Sequence, residues 1–98
     1  MQHEVANYEA FATDHAVGSP VRGRVRAVRH FGVLVELAPN VQGLMEIWDF
    51  SQGPPTKFPQ DFPQVGTEIQ ATIKYFDIPG MNIRLTQRSA RNPADGAG

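Results

Sequence analysis

Two apolar runs with period-two alternation, separated by a short turn, constrain this chain more than any other feature. In the stretch from Val25 to Ile47, VRAVRHFGVLVELAPNVQGLMEI, the first run is marked by Val33, Val35 and Leu37 and the second by Val41, Met45 and Ile47. Between them lie Ala38, Pro39 and Asn40. Proline has a fixed φ and asparagine tolerates the left-handed region, so this trio suits a tight reversal. The pattern predicts a β-hairpin with those six apolar residues facing inward. Its outward positions, Leu34, Glu36, Gln42, Leu44 and Glu46, are too mixed for a second buried face and suit a working surface.

The rest of the chain extends the same pattern. Val21, Gly23, Val25 and Ala27 alternate with Arg22, Arg24 and Arg26, which predicts a first strand with an arginine stripe. Gly23 removes a side chain where a strand of a small barrel must bend. Arg29 and His30 then fall in a turn before the hairpin. A strand from Thr67 to Phe76 turns Ile69, Ala71, Ile73 and Tyr75 inward and Glu68, Gln70, Thr72 and Lys74 outward. Asp77 to Gly80 form a turn, and Ile83 with Leu85 makes a short last strand with Asn82 and Arg84 outward.

Three segments lie outside the strands. Val5, Tyr8, Phe11 and Ala12 sit at three-to-four spacing, which predicts a short amphipathic helix capping one end of the barrel. Gly18 and Pro20 end it. Residues 48–66 carry four prolines, a Trp and three Phe, and such a loop must be functional or be clamped by its own aromatics, here Phe58 and Phe62. The tail from residue 89 is polar and Gly-rich and is expected to be disordered. The expected organisation is a helix and linker over 1–19, a barrel over 20–88 and a tail over 89–98.

At 98 residues the chain builds one core, and zero cysteines exclude disulfides and thiolate metal sites. No apolar run approaches the roughly 20 residues of a membrane helix. Glu4 and Glu9 stand where a signal peptide needs a basic start and an apolar core, so a cytoplasmic location is expected. The net charge of -1 divides unevenly: residues 1–19 carry -3, and the remainder carries +2 from nine basic residues against seven acidic ones. A near-neutral total is therefore compatible with a local basic face.

Five short strands, a leading helix, a long third connection and a glycine-marked bend in the first strand together suggest an all-β, five-stranded OB barrel. From about Val17 to Arg88 the chain resembles the S1-type RNA-binding domain. The resemblance rests on Val17 and Gly18, Gly23 and Val25, the run Phe31 to Val35, Gly43 and Leu44, Val65 and Gly66, Asp77, and the closing Ile83, Arg84, Leu85 and Thr86. It implies a nucleic-acid surface with two aromatics on strand two, a His on strand three, an Asp after strand four and a basic residue entering strand five. Phe31 and Asp77 match that set. Leu34 stands at the second aromatic position, Glu46 at the His position and Asn82 at the basic one.

The expected function is therefore that of a single-stranded RNA-binding module, weak and largely sequence-independent, working through the hairpin face with the arginine stripe. Phe31 and Trp48 would offer π-faces, and Arg24, Arg26, Arg29, Lys74 and Arg84 would offer cations, with Leu34, His30, Asp77 and Asn82 on the same surface. Single-stranded DNA would satisfy the same chemistry, and the wider partners would be the ribosome or RNA-processing proteins, with no membrane and a monomeric state. The alternative is a protein-interaction module in which Leu34, Leu44, Trp48 and the Pro-rich loop form the contact. Catalysis is not expected. His3, His15 and His30 have no ligand spacing, no nucleophile can be assigned and no Gly-rich phosphate loop exists, so neither a metal nor another cofactor is implied.

Overall fold

The computed structural model describes residues 2–88, so the expectation of a disordered tail falls outside the described residues. A helix, α1 (Gln2–Asp14), precedes β1 (Pro20–Arg29), β2 (Gly32–Ala38) and β3 (Val41–Glu46). A single 3-10 turn (Ile47–Asp49) opens the long loop, and β4 (Glu68–Asp77) and β5 (Asn82–Thr86) complete the sheet. The strands close a barrel in the order β1-β2-β3-β5-β4, in which only β3 and β5 run parallel. This is the expected five-stranded OB arrangement.

Closure depends on β1 serving two neighbours. Its first half, Pro20 to Arg24, pairs with β4, and its second half, Arg24 to Arg29, pairs with β2. At the bend lies Gly23, where a Cβ would come within 2.5 Å of the Glu36 carbonyl oxygen, a contact that no side chain permits. Inside the barrel Val25, Val33, Val35, Val41, Met45, Ile73, Ile83 and Leu85 are fully buried. The hairpin turn also forms as its residues require: Ala38 pairs with Val41, and Asn40 takes φ 61°.

Three register shifts alter which side chains face out. The first, at Arg26, pairs Ala27 with Leu34 and turns Val28 toward the core, so Ala27 lies on the outer face and not on the inner one. Another, at Lys74, does the same to β4: Phe76 packs on the core and Tyr75, expected inside, is 44% exposed. The third lies at Leu37, which still packs against the core. An extra residue in one strand of an antiparallel pair reverses the alternation beyond it. Arg29 closes β1 and is not in the turn, which consists of His30 and Phe31.

The helix covers one end of the barrel. Tyr8 is buried, meets Phe76 edge-on at 6.5 Å between centroids, and donates its hydroxyl to the Asn82 carbonyl at 3.3 Å. Phe11 packs against the core, and the Asn7 amide reaches the Pro39 carbonyl at 3.0 Å. Val5 shares the helical spacing yet stays exposed. The long loop is clamped as its aromatics suggest: Phe50 and Phe62 are buried edge to face, and Phe58 meets Phe62 edge-on at 5.2 Å.

Candidate nucleic-acid interface

The registers set one row of outward side chains across the whole sheet, Ala27, Leu34, Leu44, Arg84 and Tyr75, one from each strand. Leu44 points outward but is only 8% exposed, flanked by Leu34 and Arg84 on the strands beside it. It is not the open apolar position that the alternation suggested. Arg84 is the centre of the row. Its guanidinium donates to Glu46 at 3.3 Å, to Asp77 at 3.4 Å and to the Asn82 side-chain oxygen at 3.3 Å, and lies 5.7 Å from the Tyr75 ring centroid. The Asp, the Glu and the Asn that the sequence pattern assigned separate roles are thus drawn onto one arginine.

The arginine stripe divides in the same manner. Arg26 pairs with Glu36 at 2.9 Å and Arg22 with Glu68 at 3.5 Å, each with its cross-strand or near neighbour. Arg24 instead donates to the Gly66 carbonyl at 3.1 Å, a neutral partner that leaves its charge uncancelled. Lys74, at the β4 bulge, reaches away from the row to the buried carboxylate of Asp49 at 3.1 Å. Its role is to satisfy that buried acid.

The remaining expected residues gather at the end of the barrel away from α1. Phe31 is 50% exposed on the β1–β2 turn and Trp48 51% exposed on the 3-10 turn. The Ile47 amide donates to the Phe31 carbonyl at 3.0 Å, which ties the two turns together. Behind Phe31, Gly32 allows the approach: a Cβ there would sit 2.2 Å from the Met45 carbonyl oxygen. The His30 ring stacks on Phe58 at 3.7 Å, so this histidine clamps the long loop, and Arg29 donates to the Val28 carbonyl. Arg88 also belongs here and was not singled out in the sequence. It donates to the Trp48 carbonyl at 3.4 Å, a contact across forty positions of chain for which the sequence carries no local signal.

No family model matches the chain. A polyribonucleotide nucleotidyltransferase from Dehalococcoides mccartyi is 29% identical over 92 residues, 94% of this chain and 12% of the relative. The small ribosomal subunit protein bS1 of Mycolicibacterium smegmatis is 29% identical over 80 residues, 82% of this chain and 16% of that protein. The chain thus spans under a fifth of the length of either. Among solved structures, GSP13 from Bacillus subtilis superposes with a TM-score of 0.65 at 28% identity, over 85% of this chain and 59% of that one. The closed five-stranded barrel and its strand order are those of an OB fold, and these likenesses agree with the resemblance to the S1-type domain that the sequence carries.

Proposed function

We propose that this domain is a noncatalytic module that binds single-stranded RNA weakly and with little sequence preference. The observation that carries the reading is the Phe31 ring, half exposed on a rigid two-residue turn beside Arg29 and tied through Ile47 to a second exposed ring, Trp48. A base stacks on such a ring with roughly 1–3 kcal/mol, and every base has a π-face, which is why sequence preference is low. Cations supply the rest by releasing counterions from phosphate. Relatives that are a ribosomal protein and a polyribonucleotide nucleotidyltransferase support RNA as the partner. Weakness follows from Leu34 and Glu46, which offer neither a ring nor an imidazole. Single-stranded DNA presents the same chemistry and is expected to bind too, with the domain acting as a cytoplasmic monomer beside ribosomal or RNA-processing proteins.

Titrating uridylate oligomers of about ten nucleotides, within the range an OB fold covers, tests this. Phe31→Ala should weaken binding by about 5- to 150-fold, the equivalent of roughly 1–3 kcal/mol. Absence of binding, or binding indifferent to both salt and Phe31→Ala, would overturn it. The protein-interaction reading has less support, because Leu44 offers little surface and two of the loop's aromatics, Phe50 and Phe62, are buried.

A further inference from the structure

Resting on the RNA-binding reading, we propose that the strand crosses the end of the barrel, over Arg29, Phe31, Trp48 and Arg88, and not the outer sheet face around Arg84. The argument begins with charge. Arg84 is 22% exposed and holds two carboxylates, so the cluster of Arg84, Glu46 and Asp77 carries a net negative charge. Beside it, Glu36 cancels Arg26. A phosphate approaching this face meets two acids before it meets a free guanidinium, and displacing either acid from Arg84 costs what the phosphate contact returns.

At the barrel end the partners of the cations among the described residues are carbonyls. Arg29 donates to Val28 and Arg88 to Trp48, and neither has a carboxylate partner among the described residues. Both guanidinium charges remain available to phosphate, and both side chains are exposed. Two half-exposed rings lie between them along a bonded path: Arg29 precedes the turn of Phe31, the Phe31 carbonyl accepts from Ile47, and Trp48 follows with Arg88 on its carbonyl. The stack of His30 on Phe58 ties the turn to the long loop. An alternation of cation, ring, ring and cation on rigid backbone is what a single strand with stacked bases and flanking phosphates requires. Duplex nucleic acid, whose bases are already stacked, cannot use the rings.

Trp48 is the only tryptophan in the chain, so its fluorescence reports directly on the site. A uridylate oligomer should quench it as binding saturates. Arg29→Ala with Arg88→Ala should lower the salt slope by about 1.4, since each lost phosphate contact on a single strand removes about 0.7. Arg84→Gln should leave the slope unchanged, and Arg26→Gln serves the same comparison should that variant fail to fold. Binding without quenching, with a slope lowered by the sheet-face variant and not by the end pair, would overturn the proposal while leaving RNA binding intact. No binding by the wild-type chain would instead remove the RNA reading itself.

Discussion

Arg84 and Arg88 stand four residues apart, on and just beyond β5, and the structure gives them opposite circumstances. The first lies in the middle of the sheet face with Glu46 and Asp77 within 3.4 Å, and the second lies at the barrel end with a backbone carbonyl as its partner. The same side chain is a structural tie in one place and a free charge in the other. In a chain whose net charge is -1, the placement of carboxylates decides where a polyanion can be met, and the number of arginines does not. On the sheet face Arg84 is held by two carboxylates and Arg26 by one. The barrel end is where rings and unmatched cations coincide.

The largest effect that should separate these regions comes from Gly32, which joins the turn bearing Phe31 to the first residue pair of the sheet. Gly32→Ala forces a methyl group against the Met45 carbonyl at 2.2 Å and toward the Glu46 Cα at 2.8 Å, both backbone atoms. Overpacking of this kind should cost about 3 kcal/mol. For a domain this small the melting midpoint should then fall by about 12–24 °C, read by circular dichroism. An unchanged midpoint would mean that the turn yields, and that Phe31 is not rigidly presented.

The paired cations should matter for stability, and the unpaired ones for binding. Lys74→Met leaves the Asp49 carboxylate buried without its ammonium and should destabilise by about 1–3 kcal/mol in urea denaturation. Adding Asp49→Asn should recover part of the loss, because the charge is then gone from both sides. Arg29→Ala should stay within about 0.5 kcal/mol, as exposed substitutions usually do. If Arg29→Ala proved the more destabilising of the two, the division between structural and free cations would fail.

The division can also be reversed. Glu46→Gln with Asp77→Asn removes both charges from Arg84; the one amide oxygen that each variant side chain keeps can still accept a hydrogen bond, although Asp77 uses separate oxygens for Arg84 and for the Gly80 amide and Asp77→Asn keeps only one of them. The sheet face then gains a free guanidinium, and the salt slope for a uridylate oligomer should steepen by about 0.7. An unaltered slope would show that the face is closed to RNA by shape and not by charge.

How much of this was legible in the sequence can be judged from particular residues. The hairpin was, since Val33, Val35, Val41 and Met45 alternate as a half-buried sheet must, and Asn40 marks the reversal. The helix, the clamped loop and the barrel class were legible for similar local reasons. Tyr75 and Ala27 were misread because the bulges at Lys74 and Arg26 insert one residue without any compositional mark, and all alternation beyond them inverts. Phe31 was marked out by its place in the S1-like pattern, and the structure leaves its ring half exposed. The pairing of Arg84, Arg26 and Lys74 was not, because an ion pair is a fact of strand neighbours and the sequence shows only that the charges exist. Arg88 was missed on the same ground.

The smallest expected effect concerns the end that α1 covers, and it sharpens the contrast between a sealed end and an open one. Burial pushes the Tyr8 hydroxyl above its ordinary value of 10.0, and the negative charge of Asp77 pushes it further the same way. A raised value means that folding favours the protonated phenol. The stabilisation is therefore complete below the unfolded value near 10 and is lost as pH rises through the folded one. Tyr8→Phe keeps the ring against Phe76 and gives up a hydrogen bond of 3.3 Å, which should cost about 0.5–1 kcal/mol at neutral pH. Above about pH 10 the wild-type chain should lose stability toward the variant, and the gap should close or change sign. Urea midpoints for both proteins at about pH 8 and about pH 11 provide the measurement, with their difference isolating Tyr8 from every other titrating group. RNA affinity at neutral pH should be the same for both if the strand crosses the other end of the barrel. A variant that bound RNA more weakly while remaining folded would place α1 in the interface, and the two ends of the barrel could no longer be assigned separate tasks.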